Sequence, residues 1–212
     1  IIELGWSFLH RLGLHDVTLL VNSIGCSTCR APYGKNLREY YAPKLEQMCQ
    51  DCKSRYERAP LRLLACNKPT CQPFAVDAPH TIDFLCSDCS NHWQKLQTYL
   101  MAINIPFEIQ HSIVRGLDYY TKTVFEFQPN NADGSQSTIL AGGRYDGLIE
   151  QIGGPPTPAI GFGSGIERLV MNMQSAEGIT APPKTRPVVI TTAGAVDPQV
   201  LVQNAAELRR HN

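Results

Sequence analysis

Eight cysteines in a chain of 212 residues fall into four close pairs. Cys26/Cys29, Cys49/Cys52 and Cys86/Cys89 have C-x-x-C spacing, and Cys66/Cys71 lie five apart. A C-x-x-C turn lets two thiolates converge on one tetrahedral ion, and two such turns complete a four-sulfur site. Eight sulfurs are therefore enough for two structural zinc ions, which would organise a stretch (49–89) that is irregular and rich in Cys and Pro. Four sulfurs closing a site leave no position for a substrate, so the expected role is structural rather than catalytic. Disulfides and free buried thiols are the competing readings; disulfides are disfavoured because the chain opens without a basic stretch or signal peptide, and a cytoplasmic, reducing location is expected. A redox C-x-x-C would require a thioredoxin-like setting that these pairs lack. Spacing does not say which pairs meet. Cys26/Cys29, farthest from the main cluster, are expected to be the spare pair, and His80 or His92 could replace one sulfur.

A second set of chemistry-bearing residues begins at 114 with VRGLDYYTKTVFEF. Arg115 is a permanent cation with a planar donor fork, suited to a carboxylate or a phosphate. Taken alone, it could equally form a surface ion pair with Asp118. Tyr119 and Tyr120 offer flat apolar walls and hydroxyls that can orient a ring. On a strand, neighbouring side chains face opposite ways, so only one of the two is expected to face a ligand. Gly142 and Gly143, in AGGRYDGL at 141–148, read as a tight bend or as a place where backbone closely approaches a ligand, with Tyr145 beside it. In GFGSGIERL at 161–169, Gly161, Gly163 and Gly165 remove bulk where a strand meets a helix. Arg168 then falls in that helix's first turn, where Glu167 could hold it in a structural pair.

The elements that must position these residues follow from periodicity. Ile1, Leu4, Phe8, Leu9 and Leu12 recur at helical spacing, and Gly13 is a stop. Val17 to Val21 reads as a buried strand, followed by a helical pattern through Tyr33, Leu37, Tyr40, Leu45 and Met48 that Pro43 divides. A helix resumes near Asp88, with Trp93, Leu96 and Leu100 on one side. Strand character returns around Thr123–Phe127, then a loop (130–136), a strand ending at Ala141 and a short helix over 145–152. A strand over 159–163 feeds a helix from about Gly165. Residues 174–186 have linker chemistry, after which a strand (188–192) and a helix (198–210) suggest the first βα unit of another domain.

The blocks at 114–127, 141–148 and 161–169, in this order and spacing, together resemble histidyl-tRNA synthetases, the third block resembling motif 3 of class II aminoacyl-tRNA synthetases. The resemblance implies an α+β fold: part of the antiparallel class II sheet with helices, a Cys-rich helical insertion, and the start of a C-terminal α/β domain. It implies the organisation 1–29 (after motif 2), 30–105 (insertion region), 106–175 (catalytic core), 176–186 (linker) and 187–212 (start of the anticodon-binding domain). It implies that Arg115 lies beside the histidine carboxylate and the ATP α-phosphate. Tyr119, Tyr120, Gly143 and Tyr145 would line the histidine pocket, while Arg168 would hold the γ-phosphate, with Gly161 in the ATP site.

The intact enzyme would activate histidine with ATP and magnesium, charge tRNA(His) and act as a homodimer away from membranes. Motifs 1 and 2 are not found before Arg115, so the chain reads as an incomplete piece, inactive alone. A regulatory paralogue that binds histidine without charging tRNA, and a zinc-organised interaction module, are the alternatives. The charges balance, 19 basic against 19 acidic, so any RNA contact by this chain alone is expected to be weak or local.

Overall fold

The computed structural model describes residues 1–114, 119–130 and 138–175, with Gly194, Ala195, Val200 and Asn204. Contacts divide the chain into two compact units, Ile1–Ile179 and Thr180–Asn212. In the second, Gly194 takes a φ of +93°, a conformation that glycine adopts freely. The expected linker over 176–186 and strand over 188–192 lie outside the described residues. The helix expected over 198–210 is described only at Val200 and Asn204.

The first unit is α+β, as expected. Helix α1 (Ile2–Arg11) ends where Gly13 takes a φ of +76°. There the Gly13 N–H bonds the His10 carbonyl and the Leu14 N–H bonds the Leu9 carbonyl, both at 3.0 Å. This paired pattern closes a helix by satisfying its last carbonyls. The chain then enters β1 (Val17–Gly25), longer than the apolar run alone suggested. Helix α2 (Ser27–Tyr41) gives way at Pro43 to a 3-10 turn (Ala42–Gln47), followed by the short helices α3 (Gln50–Arg55) and α4 (Gln72–Val76). The long helix α5 (Ser87–Ala102) returns the chain to the sheet. Strands β2 (Glu108–Ile109), β3 (Thr121–Pro129), β4 (Leu140–Arg144) and β5 (Ile160–Ser164) follow, with α6 (Leu148–Gln151) before β5 and α7 (Ile166–Ser175) after it.

The five strands lie in the order β2-β1-β3-β4-β5, antiparallel except for the parallel pair β1–β2. Directly paired residues share a face, so the register sorts the side chains. One face carries the rows Val21–Phe125–Gly142–Phe162 and Leu19–Phe127–Leu140–Ser164. It packs against Leu9, Trp93, Leu100 and Leu169 from the helices, forming the main core. The other face carries Asn22–Val124–Gly143–Gly161 and Leu20–Glu126–Ala141–Gly163. On β4 and β5 that face is nearly bare of side chains, leaving a shallow tray. A second core, built on Tyr33, Leu37, Tyr41 and Leu63, holds the cysteine-rich helices together.

Two expectations are corrected here. Gly142 and Gly143 do not form a bend; they lie inside β4 and pair on both sides. The helix expected over 145–152 shrinks to the single turn of α6.

Asn22, fully buried in β1, fixes the approach to the tray. Its side-chain N–H groups donate to the carbonyls of His111 (3.2 Å) and Ile113 (3.0 Å), and its oxygen accepts from the Ser23 N–H at 2.8 Å. Removing it strands those groups in a dry environment. Asn22→Ala is expected to cost about 2–3 kcal/mol, read as a lower denaturant midpoint at unchanged slope.

Candidate functional site

The tray is lined from above by three tyrosines. Tyr119, Tyr120 and Tyr145 have ring centroids 4.8 Å apart for Tyr119–Tyr120, 5.7 Å for Tyr119–Tyr145 and 6.1 Å for Tyr120–Tyr145. Tyr119 and Tyr120 precede β3 rather than lying within it, so strand alternation does not separate them. Both rings pack into one cluster with Tyr145.

The glycines explain how the rings sit so close to the sheet. A Cβ on Gly143 would stand 2.8 Å from the Tyr120 ring and 2.7 Å from the Thr123 carbonyl oxygen. A Cβ on Gly161 would stand 2.5 Å from the Tyr145 hydroxyl. Gly163, farther along the tray, has nothing within 4 Å of the same point. Aromatic rings therefore stand over one end of the tray, and the floor at Gly163 is open.

At the open end Glu126 accepts hydrogen bonds from Gln128 Nε2 (3.0 Å) and from the Thr138 hydroxyl. Arg168 donates from its guanidinium to the Thr138 carbonyl at 2.9 Å. An acidic and a basic group thus meet around one residue beside the tray. Sequence reasoning picked out Arg168 but not Glu126, whose signal was only a charged residue alternating with apolar ones in β3. Arg115 and Asp118, and so the ion pair considered between them, lie outside the described residues.

The cysteines form two separate sets of four. Cys26, Cys29, Cys86 and Cys89 make one, and Cys49, Cys52, Cys66 and Cys71 the other; within each set all sulfurs lie within 4.8 Å of one another. Cys26/Cys29 are therefore not spare, as the spacing suggested: β1 and α5 bring them to Cys86/Cys89, across the inner set. Neither His80 nor His92 belongs to a set. Around a tetrahedral zinc with sulfurs at about 2.3 Å, sulfur–sulfur edges are about 3.8 Å. The contacts Cys26–Cys29 (3.6 Å), Cys26–Cys86 (3.9 Å) and Cys49–Cys66 (3.8 Å) bracket that value. All eight are free thiols.

Each C-x-x-C pair straddles a helix start, with Cys26, Cys49 and Cys86 at the caps of α2, α3 and α5. The Cys86 N–H points at the Cys29 sulfur (3.1 Å) and the Cys49 N–H at the Cys71 sulfur (3.2 Å), donors that suit thiolates. Burial opposes ionisation of Cys26, but the Cys29 N–H and neighbouring thiols outweigh it and bring its pKa down to about 6. At Cys49 the Cys52 N–H leads, outweighing burial, and the value falls to about 7. Burial pushes Cys52 and Cys89 far up. Four mutually close sulfurs cannot all be thiolates without a cation among them, and this donor set fits zinc.

A sequence profile of the histidyl-tRNA synthetase family matches residues 38–169. The chain belongs to the histidyl-tRNA synthetase family. It is 46% identical over 211 residues to a histidine–tRNA ligase of Dehalococcoides mccartyi, covering 99% of this chain and 50% of that protein. It is 46% identical over 186 residues to one of Acetivibrio thermocellus, covering 88% of this chain and 44% of the relative. The chain thus spans about half the length of the curated family members it matches. Among solved structures, the apo histidyl-tRNA synthetase of S. aureus is similar over 99% of this chain and 51% of its own, with 31% identity and a TM-score of 0.66. That likeness agrees with the expected class II sheet. A Bacillus halodurans protein described as an ATP phosphoribosyltransferase regulatory subunit/histidyl-tRNA synthetase shares the fold at 22% identity and a TM-score of 0.51, over 84% of this chain and 49% of its own. Among the described residues, no helix is long and apolar enough to cross a membrane.

Proposed function

We propose that this chain forms part of a histidine–tRNA ligase. The enzyme joins histidine to ATP as histidyl-adenylate, releases pyrophosphate, and passes the histidyl group to the 3′ end of tRNA(His). The observation that carries this reading is the tyrosine trio seated on Gly143 and Gly161. Tyr119, Tyr120 and Tyr145 wall a slot for an imidazole, and a site built to hydrogen-bond that ring rejects other side chains by leaving its own polar groups unpaired.

Arg115 takes the histidine carboxylate and the α-phosphate, where its fixed charge offsets the charge that builds as the carboxylate attacks. Arg168, beside the open end of the tray, takes the γ-phosphate and steadies the departing pyrophosphate, with Gly161 in the floor beneath the nucleotide. Magnesium accompanies ATP to neutralise the triphosphate. The two cysteine sets each hold a structural zinc. The enzyme acts as a homodimer in the cytoplasm. Residues 30–105 form the insertion of the catalytic domain, and 187–212 begin the anticodon-binding domain.

Histidine-dependent exchange of pyrophosphate into ATP tests this reading. The full-length product of the gene is expected to exchange; the 212-residue chain by itself is not. Histidine binding without exchange by the full-length protein would instead identify a regulatory paralogue.

A further inference from the structure

Between the outer cysteine set and the tyrosine pocket lies a chain of contacts that the reading above leaves unused. Strand β1 ends at Gly25, which takes a φ of +64° and pairs with Lys122, itself at +55°. The register shifts on both edges of β3 at this point, between Ser23 and Gly25 and between Thr121 and Val124. A left-handed backbone at a lysine is strained and persists only where the surroundings hold it.

Three contacts do so here. The Lys122 ammonium, its side chain 17% exposed, lies 2.8 Å from a carboxylate oxygen of Asp88, which sits between Cys86 and Cys89 in the first turn of α5. One turn on, the His92 ring nitrogen and the Thr123 hydroxyl share a hydrogen bond at 2.8 Å. Behind the bulge, a Cβ on Gly25 would stand 2.5 Å from that of Cys29, so the sulfur site is packed directly against it. On the pocket side, the Thr121 hydroxyl accepts from the Asp146 N–H at 3.2 Å, next to Tyr145. Tyr119 and Tyr120 therefore leave the sheet from a bulge whose shape is set by α5 and the outer cysteines. The inner set shares its core with Tyr33, Leu37 and Leu63 instead.

We propose that the outer cysteine set and the N-terminal turns of α5 are a strut that aims the tyrosine pocket, with Lys122, Asp88 and His92 as positioning residues. The inference rests on the tyrosine trio being the histidine pocket. An ion pair with one partner exposed is worth little as stability. Its effect falls on geometry: misplacing a pocket wall by a fraction of an ångström weakens binding well before it unfolds the protein.

The experiment uses the full-length gene product loaded with zinc, with two readouts: amide hydrogen exchange over residues 119–125, and kcat and KM for histidine in pyrophosphate exchange. Lys122→Met keeps the aliphatic stem and removes the charge. It is expected to speed exchange over 119–125 and to raise KM for histidine, each about tenfold, with kcat nearly unchanged and zinc content retained. Lys122→Arg is expected to restore both. Lys53→Met, which breaks the Lys53–Glu46 ion pair within the cysteine-rich helices, is the control and should change neither. Parent-like exchange over 119–125 in Lys122→Met would overturn the strut, as would failure of Lys122→Arg to restore it. If Tyr120→Ala leaves KM for histidine unchanged, the pocket reading fails instead, and the exchange data still decide whether Lys122 holds the bulge.

Discussion

Treated with a strong chelator, the purified chain is expected to give up about two equivalents of zinc and, with them, the helical structure of residues 26–89. The magnitudes favour this outcome. Structural zinc sites in small peptides contribute on the order of 10–16 kcal/mol, comparable to the total stability of a whole domain, about 5–15 kcal/mol. The second core is modest: Tyr33, Leu37, Tyr41 and Leu63 are its largest fully buried side chains, and Cys52 and Cys71 are part of it. Helices α3 and α4 are 6 and 5 residues long, too short to persist without tertiary support.

Without a cation, burial opposes ionisation of Cys29 and Cys89 in one set and of Cys52 in the other, and the close-packed sulfurs are joined only by weak S–H hydrogen bonds. The sheet draws its core from a different set of residues, so its strands should keep their slow exchange, except at the bulge opening β3 that the outer set braces, while the helices lose theirs. Cys49→Ser with Cys66→Ser is expected to remove one equivalent and leave the other. Elemental analysis and peptide-resolved hydrogen exchange read both results. Less than about half an equivalent of zinc, with all thiols titratable under native conditions, would overturn the assignment.

The nested order of the two sets was not legible in the sequence. Distance along the chain suggested that the isolated pair Cys26/Cys29 was spare. The partners of that pair come back only after the inner set has closed, when α5 turns toward β1. Spacing constrains a local C-x-x-C turn; which turns meet depends on where strands and helices return the chain. The stop of α1 was legible because Gly13 acts within its own helix.

The glycine pair of β4 misled for the opposite reason. Gly-Gly is a strong local turn signal, yet here the missing side chains make room for a tyrosine above the sheet and for a carbonyl on the neighbouring strand. Lys122 was invisible as a special position, since nothing in its type predicts a positive φ. Asn22 carried a faint signal, a lone amide in an apolar run. The three blocks that resemble the synthetase family marked the tyrosines and Arg168, while the convergence of Tyr119 with Tyr120 and Tyr145 depends on both leaving the sheet just before β3 begins.

Gly143→Ala is expected to raise KM for histidine by roughly ten- to a hundredfold in the full-length protein, at a stability cost of about 1–3 kcal/mol. The added carbon meets two neighbours that differ in their freedom to move. The Thr123 carbonyl, 2.7 Å away, belongs to the central strand β3 and is held by its ladder. The Tyr120 ring, at 2.8–2.9 Å, is a side chain, only 8% exposed and flanked by Tyr119 and Tyr145. The ring therefore yields first and the pocket loses a wall, while the remaining clash with the carbonyl accounts for the stability cost.

Two further glycines separate this effect from loss of the fold. A Cβ on Gly142 would lie 2.1 Å from the Gly161 carbonyl oxygen, a backbone atom of β5, so Gly142→Ala should pry β4 from β5 and lower the denaturant midpoint far more than Gly143→Ala does. Gly34 in α2 meets nothing closer than 3.8 Å, and Gly34→Ala should leave KM unchanged and stabilise the helix by up to about 1 kcal/mol. If Gly143→Ala lost stability as Gly142→Ala does but bound histidine as the parent does, Tyr120 would not be a pocket wall. A raised KM at a midpoint lowered much less than in Gly142→Ala would place the histidine ring against Tyr120, over the bare floor that Gly143 provides.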